Sequence, residues 1–358
     1  MNEKIDINPI PYLTWSWLKI NSDPVSYGFT LTENAGKDVQ IPDGVSISSG
    51  KTVQTALEEP KYSIGEQAAK LICDAAPQGK IYTIEKTTDD KPLIIRIAID
   101  SNSATHQIIH AMAGVTAKVI IVYEGRPSTG SGTPAISGII TKVYAEDDAN
   151  VHISKVQLCD GSVNQIDDTA VVCGERAKVT LSQIELGGSH IDAGFHATLL
   201  GYQSSFYSDT SYICKDSQYL DMNQVVVHKG KKTVCDMKTH GTAKDEATKT
   251  YRGTIDMVKG CTGSTGNEIE TTLLLSPKAV VKAAPIILCG EEDIAAEHGS
   301  TIGKLSNDML FYINSRGIDQ KTAEELLSKA KISATSSKIE NAEIQTQISD
   351  YLKMIYES

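Results

Sequence analysis

From about residue 80 to residue 300 the chain alternates apolar and polar positions in short runs, each broken by Gly, Asp, Asn or Ser. Two runs match position for position. ANVHISKVQL (149–158) carries Val151, Ile153, Val156 and Leu158, and AKVTLSQIEL (177–186) carries Val179, Leu181, Ile184 and Leu186, a shift of 28 residues. Looser copies follow at SSFYSDTSYI (204–213), SQYLDMNQVV (217–226) and KKTVCDMKTH (231–240). Each unit alternates in and out twice around a two-residue break. That is the requirement of a β-solenoid rung, which buries one row of side chains and stacks its backbone on the next rung. A β-sandwich also gives many short strands and stays open on period alone. The absence of clear Asn-Gly hairpin signals favours the solenoid. No helical segments alternate with the strands, which disfavours a doubly wound α/β sheet.

Either side of this region the period changes. SIGEQAAKLICDAA (63–76) places Ala68, Leu71, Ile72 and Ala75 at helical spacing, and SATHQIIHAMAG (103–114) reads as a second helix before the strand KVIIVYEG (118–125). Beyond residue 305 the pattern is helical. Ser306 is placed to cap a helix carrying Met309, Tyr312 and Ile313, Gly317 to stop it, and Asp319 to cap the next. That helix shows a stripe of Ala323, Leu326, Leu327 and Ala330. A Ser/Thr/Lys linker (333–338) leads to a last helix with Ile344, Ile348, Tyr351, Leu352 and Ile355 on one face. The expected division is a mixed N-terminal segment (1–80), a β-solenoid core (81–304) and a C-terminal helical domain (305–358). Its apolar stripes are either docked on the body or offered to a partner.

Composition narrows the function classes. A formal net charge of −11 argues against nucleic acid as the main partner, because phosphate contacts need a basic face. The N-terminal stretch has acidic residues and prolines where a targeting signal needs basic and apolar ones, and no apolar run reaches the ~18 residues of a membrane span. A cytoplasmic protein is expected. Seven cysteines with no CxxC support neither a disulfide framework nor a structural zinc site, and most read as small buried residues.

Short motifs carry little chemistry. GVSISSGKT (44–52) misses the phosphate-loop spacing by one residue and reads as a loop, and GCTGSTG (260–266) reads as a turn between rungs. There is no GxSxG elbow. His190 and His196 share a face without a third placed ligand. Asp160, Asp167 and Asp168 are best explained as solvated loop carboxylates. His298, in EEDIAAEHGS, stands where the last strand-like run ends and a helix approaches. Neutral imidazole is a common iron or zinc ligand, and Gly299 gives it room. A histidine bonding backbone at a junction is the competing explanation, favoured by chemistry alone.

The C-terminal third then stops being anonymous. RGTIDM, followed by ETTLLLSPKAVVKAAPIILCGEEDIAAEHGSTIGKLSNDMLFYINSRGIDQKTAEELL, resembles the signature of the SufB/SufD family of iron–sulfur cluster assembly proteins. That signature joins an LLLS run, a P-x-L/I-x-I strand, a histidine step (HG or HE) and an LFY-x-x-SRGI helix. The match runs from about Arg252 to Leu327. NQVVVHKGKKTVCDMK (223–238) and IPYLTWSWLKIN (10–21) resemble further family segments. The resemblance implies a mainly β fold, a right-handed parallel β-helix with a small N-terminal α/β part and C-terminal helices. It implies a non-enzymatic, cytoplasmic scaffold in a SufBCD-type complex, acting with a SufB-type paralogue and a SufC-type ATPase. The ATPase would dock at about 306–330, where Leu310, Phe311, Tyr312, Arg316 and Gly317 match the family helix. The two β-helix subunits would pair at their C-terminal ends, with a transient cluster or iron at that junction and none held tightly by one chain. Alone, the chain could also pair with itself. Glu270 stands where the B type has its cysteine, and His298-Gly299 where it has His-Glu, so the chain reads as D-like. The family's iron or cluster ligand then maps to His298, while the cysteine some D members carry two residues earlier is Ala296 here. A purely architectural module that never touches iron, and a β-helix polysaccharide enzyme, are the alternatives.

Overall fold

The computed structural model describes residues 3–13, 16–27, 30–34, 37–88, 91–125 and 134–357. Thr14 and Trp15, within the N-terminal family-like segment, lie outside the described residues. An antiparallel hairpin, β1 (Glu3–Ile7) with β2 (Asp23–Tyr27), is followed by β3 (Thr32–Glu33), β4 (Lys37–Gln40), β5 (Val45–Ser49) and helix α1 (Glu66–Ala75). The rungs then follow in order: β6 (Lys80–Ile84), β7 (Leu93–Ile99), β8 (Ser103–Ala111), β9 (Thr116–Gly125), β10 (Ala135–Ala145), β11 (Asn150–Cys159), β12 (Val163–Cys173) and β13 (Lys178–Glu185). They continue through β14 (His190–Leu199), β15 (Ser205–Cys214), β16 (Tyr219–His228), β17 (Val234–Ala243), β18 (Thr248–Met257), β19 (Ser264–Leu274), β20 (Val280–Cys289) and β21 (Ile294–Gly303). Helices α2 (Asn307–Ser315), α3 (Gln320–Ser336) and α4 (Ala342–Glu357) close the chain.

Even-numbered strands from β6 to β20 form one parallel sheet and odd-numbered strands from β7 to β21 the other, so each turn contributes one strand to each wall. The result is a β-solenoid of about seven turns. The 28-residue repeat is a physical register: Val151 pairs with Val179 and Ile153 with Leu181. Of the looser copies, those at 204–213 and 231–240 stack on the same wall, as β15 and β17, while the one at 217–226 is β16 of the opposite wall. One corner turns through a residue with positive φ on successive rungs, at Asp148, Arg176, Gln203 and Lys232. There the first three amides bond the next rung, at Glu175, Tyr202 and Lys231.

Between the walls lies a core that includes Ile121, Ile153, Leu181, Phe195 and Phe206. Both outer faces are partly covered. Ile72 and Ala68 of α1 pack on Ala104, Ile140 and Ile166 of the even wall. On the odd wall, Ile332 of α3 and Ile344, Ile348, Tyr351 and Leu352 of α4 cover Ile120, Val122, Val156, Leu158 and Ile184. The Tyr351 hydroxyl donates to the Cys159 carbonyl at 2.5 Å. The apolar face of α4 is therefore docked on the body.

Several expectations change. Residues 103–111 are strand β8, not helix, and the whole strand is buried. A strand covered on both faces loses the polar alternation that distinguishes it, and its apolar positions then mimic helical spacing. Asp167 and Asp168 are not solvated: both lie in β12 and both are fully buried. Helix α3 runs through much of the expected linker to Ser336, and its buried stripe includes Ala323, Ser328, Ile332 and Thr335, leaving Leu326 exposed. The caps are as read: Met309 N donates to Ser306 Oγ at 3.1 Å and Thr322 N to Asp319 Oδ1 at 2.8 Å. Gly317 adopts φ 80°, the left-handed turn that ends α2.

Candidate functional site

The solenoid ends with both walls open. β20 is the last strand of the even wall and β21 of the odd wall, so each presents an unpaired edge of backbone donors and acceptors. Their inner faces, buried in every earlier rung, are partly or wholly exposed. Val280 and Ile302 are among the exposed apolar side chains of this end.

His298 belongs to this open mouth. It sits in the middle of β21 rather than at the end of a run, because pairing with β19 continues to Gly303. Its register partner is Glu268, which is fully buried. Partners in a parallel sheet point to the same side, so His298 faces along the lumen. Ser300 confirms the face, since its hydroxyl donates to Glu270 Oε2 at 2.6 Å. By the same alternation Ala296 faces inward, packed on the lumen core, and Glu297 faces outward. Cys289, exposed at the rim of β20, pairs in register with the buried Met257.

Beneath the mouth the lumen is polar. Lys155, Gln183, Thr210, Thr239, Glu270 and Ser300 occupy one in-register row across β11, β13, β15, β17, β19 and β21. Lys249 Nζ lies 2.6 Å from Glu270 Oε1, and Thr272 adds its hydroxyl to the same carboxyl. Glu268 differs: among the described residues no cation pairs with it, and its polar neighbour, the Tyr251 phenol, falls outside strict hydrogen-bond geometry. Burial pushes its carboxyl up to about 8, with Glu270 adding to the rise and the Tyr251 phenol opposing it. Gly253, on the facing wall, leaves the space it needs, because a Cβ there would stand 1.8 Å from Glu268 Oε1. An imidazole at an open rim above a carboxyl that no cation pairs with is a nitrogen and oxygen donor set, which suits a hard or borderline cation such as ferrous iron.

The residues expected to receive a partner lie beside the mouth. Phe311 is 76% exposed and Tyr312 59%, with the Arg316 guanidinium 5.2 Å from the Tyr312 ring. Leu310 is half-buried and lines a cleft with Leu274, Leu275 and Leu305. Gly317 is exposed at the end of α2.

A second group of metal-capable side chains was not assembled from the sequence. Asp23, His190 and Asp192 bring ligand atoms within 4.8 Å of one another on the outer face of the even wall. His190 Nε2 lies 2.8 Å from Asp23 Oδ2 and 3.4 Å from Asp192 Oδ2. Against the cost of burial, the two carboxylates raise the imidazole to about 10, so it stands as an imidazolium tying β2 to β14. The His-x-Asp spacing on a strand was visible; Asp23, 167 positions away from His190, was not. His196 is buried and depressed to about 4 by desolvation.

A parallel β-solenoid with one open end, a histidine in that end and a helical appendage beside it defines the structural class. The family model for the SUF system iron–sulfur cluster assembly, SufBD core domain, matches residues 95–331, and the chain belongs to that family. It is 27% identical over 203 residues to the iron–sulfur cluster assembly protein SufD of Bacillus subtilis, covering 56% of this chain and 46% of that protein. It is 25% identical over 211 residues to the chloroplastic SufBD family protein ABCI8 of Arabidopsis thaliana, covering 56% and 37%. The chain thus spans less than half the length of these relatives. The likeness to SufD supports the D-type reading. Among the described residues no helix is long and apolar enough to cross a membrane.

Proposed function

We propose that this chain is a D-type scaffold subunit of a SufBCD-like complex, joined through its open last rung to a B-type paralogue. The observation that carries the reading is His298 facing along the lumen at an end where both walls are unpaired. An edge of this kind favours extension by the strands of another solenoid. His298 then supplies one ligand to iron or a nascent cluster, which is the cargo of the assembly. The partner brings the sulfur-handling cysteine, because Glu270 occupies the matching position here and is committed to Lys249. The exposed Phe311 and Tyr312 of α2 are the docking face for a SufC-type ATPase, whose cycle opens and closes the junction. The chain itself performs no catalysis, and the complex acts in the cytoplasm.

The test is assembly with a B-type paralogue. Lysines in place of Val280 and Ile302, both exposed at the mouth, leave the fold intact and abolish the heterodimer in size-exclusion chromatography. A heterodimer that survives both substitutions places the junction elsewhere.

A further inference from the structure

Glu268 is buried without the ion pair that holds its neighbour. Its neighbour Glu270 shows how this lumen normally accommodates a carboxyl: a lysine, a threonine and a serine surround it. Glu268 is equally buried, yet its polar neighbour is the Tyr251 phenol alone, outside strict hydrogen-bond geometry, and among the described residues no cation pairs with it. A buried carboxyl without a cation or a full set of hydrogen bonds is costly, and such groups persist where something else uses them. The wall opposite gives it room, since a Cβ at Gly253 would stand 1.8 Å from Oε1 and push the carboxyl aside. Toward the open end, the next residue on the same inner face is His298, one strand spacing of about 4.8 Å away.

We propose that Glu268 is a second ligand for the iron received at the mouth, paired with His298 on the adjacent strand. The proposal rests on the reading of His298 as an iron ligand. One carboxylate oxygen and one imidazole nitrogen make a donor pair matched to ferrous iron, with the remaining positions left to the partner subunit and water. The site is thus half built in this chain, and the chain can take iron before any sulfur arrives.

Ferrous iron alone, titrated anaerobically into the full chain against a competing chelator, is the probe. The wild-type chain binds one equivalent. H298A and E268Q each weaken binding about 10-fold or more, whereas E268D, which keeps the carboxylate, retains it within a few-fold. The iron-induced rise in melting temperature shrinks in parallel in H298A and E268Q. Iron lost in H298A but held at wild-type strength in E268Q removes Glu268 from the site and leaves the reading of His298 standing. Equal loss in E268D and E268Q overturns the carboxylate's role. No iron on the wild-type chain overturns both.

Discussion

Lys249 Nζ and Glu270 Oε1 meet at 2.6 Å inside the lumen, and neither side chain reaches water. Lys249 comes from the even wall and Glu270 from the odd wall, so the pair links the two sheets one strand below the open end. Replacing either partner leaves an uncompensated buried charge. Glu270→Ala is expected to cost about 3–5 kcal/mol, and the double change Lys249→Met/Glu270→Leu to recover most of it. Urea denaturation of the two variants checks this. Glu270→Cys, which restores the B-type residue, is expected to destabilise the chain for the same reason.

Deeper in the solenoid Glu185 lies in the lumen, bonded by Gln183 at 2.7 Å. Burial, with Asp167 adding repulsion, pushes its carboxyl up to about 8. The folded chain therefore holds this proton more tightly than the unfolded chain. Its contribution to stability is full below the ordinary carboxyl value near 4.5 and is lost as pH rises through about 8. Glu185→Gln removes that dependence. The melting temperature of wild type should fall below that of the variant progressively from about pH 5 to pH 9, by an amount on the order of 3 kcal/mol in stability. Parallel curves would mean the carboxyl is ionised in the fold throughout.

Phe311 and Tyr312 carry no weight in the fold, since both are exposed on α2. Alanine at either position should change stability by less than about 0.5 kcal/mol. Each should weaken binding of a SufC-type ATPase by about 2 kcal/mol, the loss typical of an aromatic anchor at the centre of an interface. Calorimetric titration of the purified ATPase separates the two effects. Unchanged affinity in the double variant would move the docking face away from α2.

The solenoid was legible because its rungs repeat a side-chain pattern that is itself the packing. The 28-residue shift between Val151 and Val179 is their in-register pairing. Helix ends were legible for a local reason, as Ser306 and Asp319 bond amides three residues on. Strand β8 was not, because burial on both faces erased its alternation. The lumen chemistry was not either. Asp167 reads as a surface carboxylate until β11 brings Lys155 Nζ to 2.6 Å from it, and Asp23 meets His190 only through the tertiary fold. At the mouth, His298 could be singled out by resemblance to a family. Glu268 could not, since the register of β19 on β21 is what sets the two side by side.

The central claim concerns His298, and cluster formation by the reconstituted complex tests it most directly. The chain, a B-type paralogue and a SufC-type ATPase are supplied with ferrous iron, sulfide and ATP, and cluster is followed by absorbance and by iron and acid-labile sulfide content. His298→Ala, at an exposed position, should leave the melting temperature and the stoichiometry of the complex unchanged and lower the cluster formed about 10-fold. A variant complex that assembles normally and yields wild-type cluster would contradict the account and reduce this chain to architecture.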